Sequence, residues 1–349
     1  MVDKTVGITQ VLEGTEGAWE NYVNKFSEAH LYFDYKWKQV LEQSFGHKCF
    51  YMIAQKDGNT QGIFPLVFIK GKVMPAALVS IPFFNYGGML ADNKEVESAF
   101  LKEATNILKN TQAKYLEVRN IHQSNMLPIT REHKVTMWLE LFDDIDSQWG
   151  GLDAKVRNQI RKAQKSGLKI KKGKKELLDE FYRVFSCNMR DLGTPVIGKK
   201  FFNNILKYFS EKTRIFIVEF EGQAIAGAFT LYHHGITGIP WASSIKRCNK
   251  LCPNEFMYWE AIMEAISLEC KWFDFGRCTK ETGTYRFKKQ WKPQVKQLYW
   301  QYYAAQESML PQKDSNKKTS KILIAIWKRL PLFLANRLGP GIAKYIPIF

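Results

Sequence analysis

Two successive stretches of the chain carry the same order of predicted elements, and that recurrence limits the fold more than any single motif. In the first stretch, apolar spacing predicts mainly helix over residues 15–47, with Trp19, Tyr22, Val23 and Phe26, then Trp37, Val40 and Leu41, at helical intervals. A β-hairpin follows, strands 50–55 and 62–69 about the turn Asp57-Gly58-Asn59, and then a strand over 77–81. The Gly87-Gly88 pair in PFFNYGGMLA marks a tight backbone passage. A helix over 93–110 then leads to strands 115–119 and 135–141. The second stretch opens with helices over 147–166, 174–190 and 199–210. A hairpin of strands 214–220 and 224–232 precedes a strand over 236–242, a helix over 254–269, a strand over 272–275 and a last strand over 295–303. The parallel lies in element order rather than residue identity, and it argues for two copies of one α/β unit. Asp143, Asp144, Asp146 and Gly150-Gly151 interrupt the pattern, so the expected division is 1–145, 146–305 and a tail over 306–349.

The 349 residues are 45% hydrophobic and 14% aromatic, enough apolar material for two cores. A formal net charge of +17 predicts an anionic partner or surface: phosphate, nucleic acid or acidic lipid. The six cysteines, at 49, 187, 248, 252, 270 and 278, are too scattered for a disulfide scaffold and are expected as reduced thiols. Cys248 and Cys252, with His233 and His234 upstream, lack the two spaced ligand pairs of a zinc site, so no metal is expected. The opening MVDKTVGITQVLEG has no hydrophobic signal core, and no run reaches the ~20 apolar residues of a membrane-spanning helix, which predicts a cytoplasmic location.

The chemistry is expected in residues 272–291, WFDFGRCTKETGTYRFKKQW. A short strand places Asp274 among bulky neighbours, a loop rich in Gly and Thr follows, and the segment closes on Tyr285-Arg286-Phe287-Lys288-Lys289. Loops held at strand ends are where catalytic and binding groups concentrate. The alternative reading is an amphipathic strand pair with a solvated basic face. Between Gly151 and Lys175 stand ten Lys or Arg against one Asp, with Lys155, Arg157, Arg161, Lys162 and Lys165 on one predicted helix. They suit a clamp on phosphate or, equally, a solvated face. In NMRDLGTP, Arg190 and Asp191 are expected to cap and pair locally. In PWASS, Trp241 and Ser243 offer a sugar-stacking ring and a hydroxyl, against the reading of Trp241 as core. Cys278 is a weak nucleophile candidate, with no matching His nearby.

Beyond Gln306 a polar linker, SMLPQKDSNKKTS, leads to KILIAIWKRLPLFLANRLGPGIAKYIPIF, cut by Pro331, Pro340 and Pro347. Its basic and apolar residues suit an interfacial helix in peripheral contact with an anionic membrane, at the inner face of the cytoplasmic membrane. The competing expectation is a helix packed on the protein's own surface.

As a set, FDFGRCTKETGTYRFKKQW, IRKAQKSGL, NMRDLGTPV, PWASS and LANRLGPGIAKYIP resemble the FemAB-related proteins over nearly the whole chain, in particular the branch associated with exopolysaccharide and exosortase (PEP-CTERM) gene clusters. The resemblance implies an α/β (α+β) fold of two tandem GNAT-like domains, each a mixed central sheet flanked by helices, here followed by an amphipathic C-terminal tail. Better-known Fem-type members move an amino acid from aminoacyl-tRNA to the amine of a peptidoglycan precursor, and BioF2-like acetyltransferase domains are related acyltransferases. The Fem-type F-K signature falls on Phe287-Lys288, whose lysine is implied to bind precursor phosphate and stabilise charge at the reacting carbonyl. The basic helix opening the second domain matches around Arg157 and Arg161, which implies a precursor held between the two domains. The chain lacks the long helical hairpin of tRNA-using members, and it lacks the Q/R-x-x-G-x-G/A loop of ordinary GNAT enzymes, a Walker loop and a dinucleotide G-x-G-x-x-G. The acyl donor therefore stays open between acyl-CoA and aminoacyl-tRNA, with no tightly bound cofactor expected.

The resulting expectation is an acyl- or aminoacyltransferase acting on a cell-envelope glycan or its lipid-linked precursor. Asp274 is the candidate general base or base-orienter. Lys288 and Arg277 would stabilise the oxyanion, and Tyr285 would orient or donate a proton. Arg157, Arg161 and Lys289 would hold phosphates, with Trp241 and Ser243 as further substrate contacts. The competing expectation is a non-catalytic scaffold that holds an anionic polysaccharide or lipid-linked sugar in the same basic cleft; general nucleic-acid binding, which rests on charge alone, ranks last.

Overall fold

A computed structural model describes residues 6–12, 14–26, 31–310 and 318–347; the first five residues, part of the first predicted helix and much of the predicted linker lie outside these. In chain order the strands are β1 (Gly7–Gln10), β2 (Lys48–Lys56), β3 (Asn59–Ile69), β4 (Ala77–Val79), β5 (Leu90–Ala91), β6 (Tyr115–Asn120), β7 (Ile129–Glu140), β8 (Lys169–Gly173), β9 (Thr213–Phe220), β10 (Gln223–His233), β11 (Ile236–Ser244), β12 (Trp272–Asp274), β13 (Cys278–Thr279) and β14 (Gln294–Ala304). The helices are α1 (Gly17–Val23), α2 (Trp37–Phe45), α3 (Lys94–Thr111), α4 (Ile145–Gly151), α5 (Ala154–Lys165), α6 (Leu178–Leu192), α7 (Lys199–Tyr208), α8 (Pro253–Ser267), α9 (Gly283–Lys289), α10 (Lys318–Arg329) and α11 (Leu332–Ala343). The chain forms two compact units, one of residues 1–134, 297–313 and 344–349, the other of residues 135–296 and 314–343. The division thus falls within β7 and β14 rather than at 145 and 305, and α10 and α11 belong to the second unit.

In the first unit the strand order is β1-β2-β3-β4-β6-β14, antiparallel except for the parallel β4–β6 pair. The hairpin β2–β3 turns where Asp57-Gly58-Asn59 predicts it. Asn93 caps α3 by accepting the Val96 N–H at 3.0 Å. Spacing of three to four residues then puts Val96, Phe100, Ala104 and Ile107 on the buried stripe of α3, among Phe64, Leu66 and Leu116 of the sheet. The helix lies so close that a Cβ at Gly62 would stand 2.7 Å from Phe100 Cε2.

Beneath that layer sits a buried ion pair. Arg119, fully buried, donates from Nε to Glu117 Oε1 at 2.7 Å, from Nη1 to Phe84 O at 3.0 Å and from Nη2 to Pro347 O at 2.6 Å. Its guanidinium also lies 4.2 Å from the Trp300 ring centroid. Three oxygen acceptors and an aromatic face satisfy a charge that would be costly to bury unpaired.

The second unit orders its strands β7-β12-β11-β10-β9-β8, antiparallel except for β11–β12, which pair in parallel as Ile236–Gly238 with Trp272–Asp274. Strand alternation divides its side chains between two layers. Phe216, Val218, Ala226 and Ala228 join α8 and α5 in one core. Phe229 and Trp241 project to the other side, into an aromatic cluster with Phe181 and Phe202 from α6 and α7. The single helix predicted over 147–166 is two, α4 and α5, because the chain extends at Leu152 and Asp153 before helix resumes. The lysine-rich β8 was not predicted, and the run Tyr285–Lys289, read as loop or strand, is the helix α9, started by Thr282 Oγ1 accepting the Tyr285 N–H at 3.3 Å.

Replacing Arg119 by Met leaves the Glu117 carboxylate buried without its partner. The Arg119→Met variant is expected to lose about 3–5 kcal/mol of unfolding free energy in urea denaturation, and the Arg119→Met/Glu117→Met double variant to recover part of that loss.

Candidate active site

The second unit's sheet opens where its two parallel strands part. β11 and β12 pair over three positions, ending at Gly238 opposite Asp274. β11 then continues to Ser244 with β10 as its described partner, while the chain after Asp274 turns away at Gly276, whose φ of +73° needs glycine. The backbone edge of β11 past Gly238 therefore borders a gap in the sheet.

Asp274 ends β12 with no solvent exposure, and its Oδ1 accepts the Thr136 hydroxyl at 2.5 Å and the Gly276 N–H at 2.8 Å. That carboxylate fixes the turn. Of the two roles expected for it, base or base-orienter, this geometry suits orienting, since a base must reach the substrate's proton.

Lys288 lies one turn along α9 and reaches back into the same turn. Its Nζ donates to the carbonyls of Gly276 at 2.8 Å and Arg277 at 3.0 Å. An ammonium has three N–H bonds, and among the described residues the third has no partner. Burial pulls the Lys288 pKa down to about 8 from 10.5; the charges of Cys278 and Asp274 oppose the shift and that of Arg277 adds to it. The wall behind it is aromatic: Tyr258 stacks on Phe275 at 5.6 Å and 15°, with Phe287 and Trp291 beside it. Trp291 Nε1 is a buried donor without a hydrogen-bond partner among the described residues.

The other expected residues separate into groups. Arg277, whose carbonyl Lys288 holds, and Tyr285 on α9 are half-buried, and Lys289 is exposed on α9. Arg157 caps the carboxyl end of α4, its Nη1 donating to Gly150 O at 3.1 Å and Leu152 O at 2.8 Å, so part of its guanidinium serves the backbone. Arg161, exposed, lies 5.3 Å from the Trp149 ring and keeps its charge at the surface. Trp241 and Ser243 require correction. Trp241 is 6% exposed and packed edge-on among Phe201, Phe202 and Phe229, leaving no ring face for a sugar. Ser243 is buried and accepts from Asn188 Nδ2 at 3.0 Å. Both point toward α6 and α7, three and five residues past the Gly238–Asp274 pairing, or about 10 and 16 Å along the strand. Cys278 is buried, on β13.

Sequence reading missed Thr136, which lies 138 residues from Asp274 and carries no local signal. It also missed a cavity of about 380 Å³ in the first unit, lined by Tyr86, Gly88, Glu97, Asn120, His122 and Ser124. The signal for it was the Gly87-Gly88 pair: a Cβ at Gly88 would fall 1.7 Å from Asn120 Oδ1.

Residues 153–289 match the family model described as an acetyltransferase (GNAT) domain, which spans the basic helix, the parted strands and Lys288. Among curated proteins none matches the sequence. Among solved structures, that of FemX is similar at 14% identity and a TM-score of 0.63, over 84% of this chain and 96% of that one. A tandem GNAT protein from the clavulanic acid biosynthesis pathway is similar at 7% identity and a TM-score of 0.55, over 88% and 100%. The C-terminal domain of a protein named as a lysylphosphatidylglycerol synthetase from Agrobacterium fabrum is similar at 11% identity and a TM-score of 0.55, over 77% and 87%. The fold is thus GNAT-type and tandem, in keeping with the FemAB-related resemblance of the sequence.

Direct titration tests the electrostatics. Lysine-selective ¹³C NMR is expected to show one residue titrating near pH 8, absent in Lys288→Met and shifted lower still in Asp274→Asn, where an opposing negative charge is gone. Between about 8 and 10.5 the unfolded chain binds this proton and the folded one does not, so stability relative to Lys288→Met should rise with pH across that window. A lysine titrating only near 10.5 contradicts the burial of the amine.

Proposed function

We propose that this protein is an acyl- or aminoacyltransferase of the GNAT type that modifies a cell-envelope glycan or its lipid-linked precursor. The observation that carries the proposal is the buried, one-third-unpartnered Lys288 ammonium placed where β11 and β12 part. The gap gives an extended acyl donor a free strand edge to lie against, and Lys288 gives the carbonyl oxygen a cation in a site shielded from water. Stabilising charge that develops in such a site is commonly the largest catalytic contribution.

The reaction follows from those parts. An acceptor amine or hydroxyl attacks the carbonyl of a thioester or ester donor directly, forming an N–C or O–C bond. The carbonyl oxygen becomes an oxyanion facing Lys288 and Arg277. Collapse expels the donor's thiol or ribose hydroxyl, which leaves with the proton lost by the acceptor; Tyr285 would orient or relay it. No group of the enzyme becomes acylated. Asp274 acts through the loop, holding Gly276 so that both carbonyls aim at Nζ. Lys289, Arg161 and the free part of Arg157 would hold acceptor phosphates. The donor is a co-substrate, acyl-CoA or aminoacyl-tRNA, and no tightly bound cofactor is needed. The envelope acceptor is supported by the FemAB-related resemblance and by the names of two structural neighbours, FemX and a lysylphosphatidylglycerol synthetase.

The test supplies purified protein with acetyl-CoA or with total charged tRNA, plus a lipid-linked glycan extract, and follows the acceptor by mass spectrometry. The expected result is a mass gain of one acyl or aminoacyl group with one donor class. Lys288→Ala, with circular dichroism unchanged, should lower the rate by about 10²–10³-fold. Full transfer by Lys288→Ala removes the assignment; no transfer with either donor favours a binding scaffold.

A further inference from the structure

The C-terminal helices face two ways. α10 and α11 both pack on α6 and the loop after it: Ile324 sits against Gly193, where a Cβ would come within 2.6 Å, and Gly339 sits against Val196, where a Cβ would come within 2.9 Å of its nitrogen. Those contacts use one side of each helix. On α10, Ile322, Leu323 and Ile326 are 58%, 67% and 53% exposed, and on α11 Phe333 and Leu338 are 70% and 50% exposed. Residues 318–343 contain Lys318, Lys321, Lys328, Arg329 and Arg337 and no acid. Twelve-residue helices are about 18 Å long, well short of a ~30 Å hydrocarbon core, and no described helix is long and apolar enough to cross a membrane.

At the first residue of α11 this surface meets a cavity of about 710 Å³. Leu332 lines it together with Arg183, Arg190, Lys246, Arg247 and Asp191. Arg190 is held by Asp191, through Nε at 3.0 Å and Nη2 at 2.7 Å. Arg183 uses Nη2 on the Ala224 carbonyl at 3.2 Å, and Lys246 and Arg247 stand exposed at the rim. Four cations and one carboxylate leave three net positive charges in a concave site. Burial pushes the neighbouring Cys187 thiol up, as does Asp191, while Arg190, Arg247 and Arg183 pull it down, and Arg190 Nη2 lies 3.7 Å from its Sγ.

We propose that the outer side of α10–α11 docks on an anionic lipid bilayer and that the arginine cavity beside it takes the phosphate of a lipid headgroup. An apolar face flanked only by cations is complementary to a bilayer whose surface is negative and whose interior is apolar. A soluble acidic protein would match the charge but not the scattered, side-on aliphatic groups of two short helices. Arg binds phosphate in a planar two-pronged fashion, and the cavity opens at the edge of the inserting face, where headgroups lie. This inference does not depend on the acyl transfer proposed above, since it is read out by binding alone.

Vesicle flotation with the full chain tests it. Wild-type protein should float with phosphatidylcholine vesicles containing phosphatidylglycerol and stay behind with phosphatidylcholine alone. Leu323→Glu/Phe333→Glu changes two exposed residues, so the fold should hold while the partition coefficient falls at least about tenfold. Lys246→Glu/Arg247→Glu should weaken anionic-vesicle binding by about tenfold or more, since each basic residue near such a surface contributes about fivefold. Flotation that ignores lipid charge, or is unchanged in the first variant, overturns the docking face. A dimer in sedimentation that Leu323→Glu/Phe333→Glu dissociates overturns it too, by making the face a self-association surface. Unchanged flotation of Lys246→Glu/Arg247→Glu, with inorganic pyrophosphate raising the wild-type Tm, assigns the cavity to a soluble phosphate compound and overturns its lipid role.

Discussion

A lysine amine buried against two backbone carbonyls holds the candidate site together. Burying a cation is unfavourable unless it is paired or hydrogen-bonded, and Lys288 is accommodated because Gly276 and Arg277 present their carbonyl oxygens to it. Those oxygens converge only because the chain turns left-handed at Gly276 and because Asp274 grips the Gly276 N–H. Asp274 is in turn held by Thr136 on β7, the strand that flanks β12. Strand end, turn and helix α9 are thus mutually dependent, and removing any one member frees the amine. Burial also leaves Lys288 with a pKa of about 8, so the group stays mostly protonated at neutral pH yet is poorly hydrated. A cation in that state has much to gain from a developing oxyanion.

Much of the architecture was legible from the sequence because it rests on local signals. The Asp57-Gly58-Asn59 turn, the α3 stripe of Val96, Phe100, Ala104 and Ile107, and the recurring order of elements are all short-range patterns. What escaped depended on competition between patterns. β8, Lys-Ile-Lys-Lys-Gly, has too few apolar residues to read as a strand and is defined by pairing with β9. In α9, aromatic and basic residues alternate as in a strand, and the decisive helical signal is one hydroxyl, Thr282, on the Tyr285 N–H.

The site shows the same division. Asp274 and Lys288 lie within one short stretch, so their meeting on the Gly276 turn rests on a local pattern. Thr136 was not, since its contact with Asp274 spans 138 residues of chain. Trp241 failed as a ligand platform because strand alternation offers a residue two faces and the sequence does not say which is covered. The phenylalanines of α6 and α7 cover this one. Arg157 shows how a charge at helical spacing can serve a local purpose, closing the end of the preceding helix.

The net charge of +17 takes on meaning once it is located. Part of it lies on α5, where Arg161 rests by Trp149 in solvent. Another part lines the cavity at the foot of α11, and a third runs along two helices that carry no acid. Charge spread evenly would only keep a protein soluble, whereas charge concentrated beside exposed Leu323 and Phe333 is what the proposed docking face needs, two attractions that would act together at a membrane surface. Neither is strong alone: short amphipathic helices partition weakly, and screened lysines hold a bilayer loosely. A glycan carried on a lipid is met at that same surface. Were the two proposals above both to hold, an enzyme seated there would search in two dimensions for its acceptor, and modest docking affinity in α10 and α11 would be sufficient for chemistry at Lys288 to find its substrate.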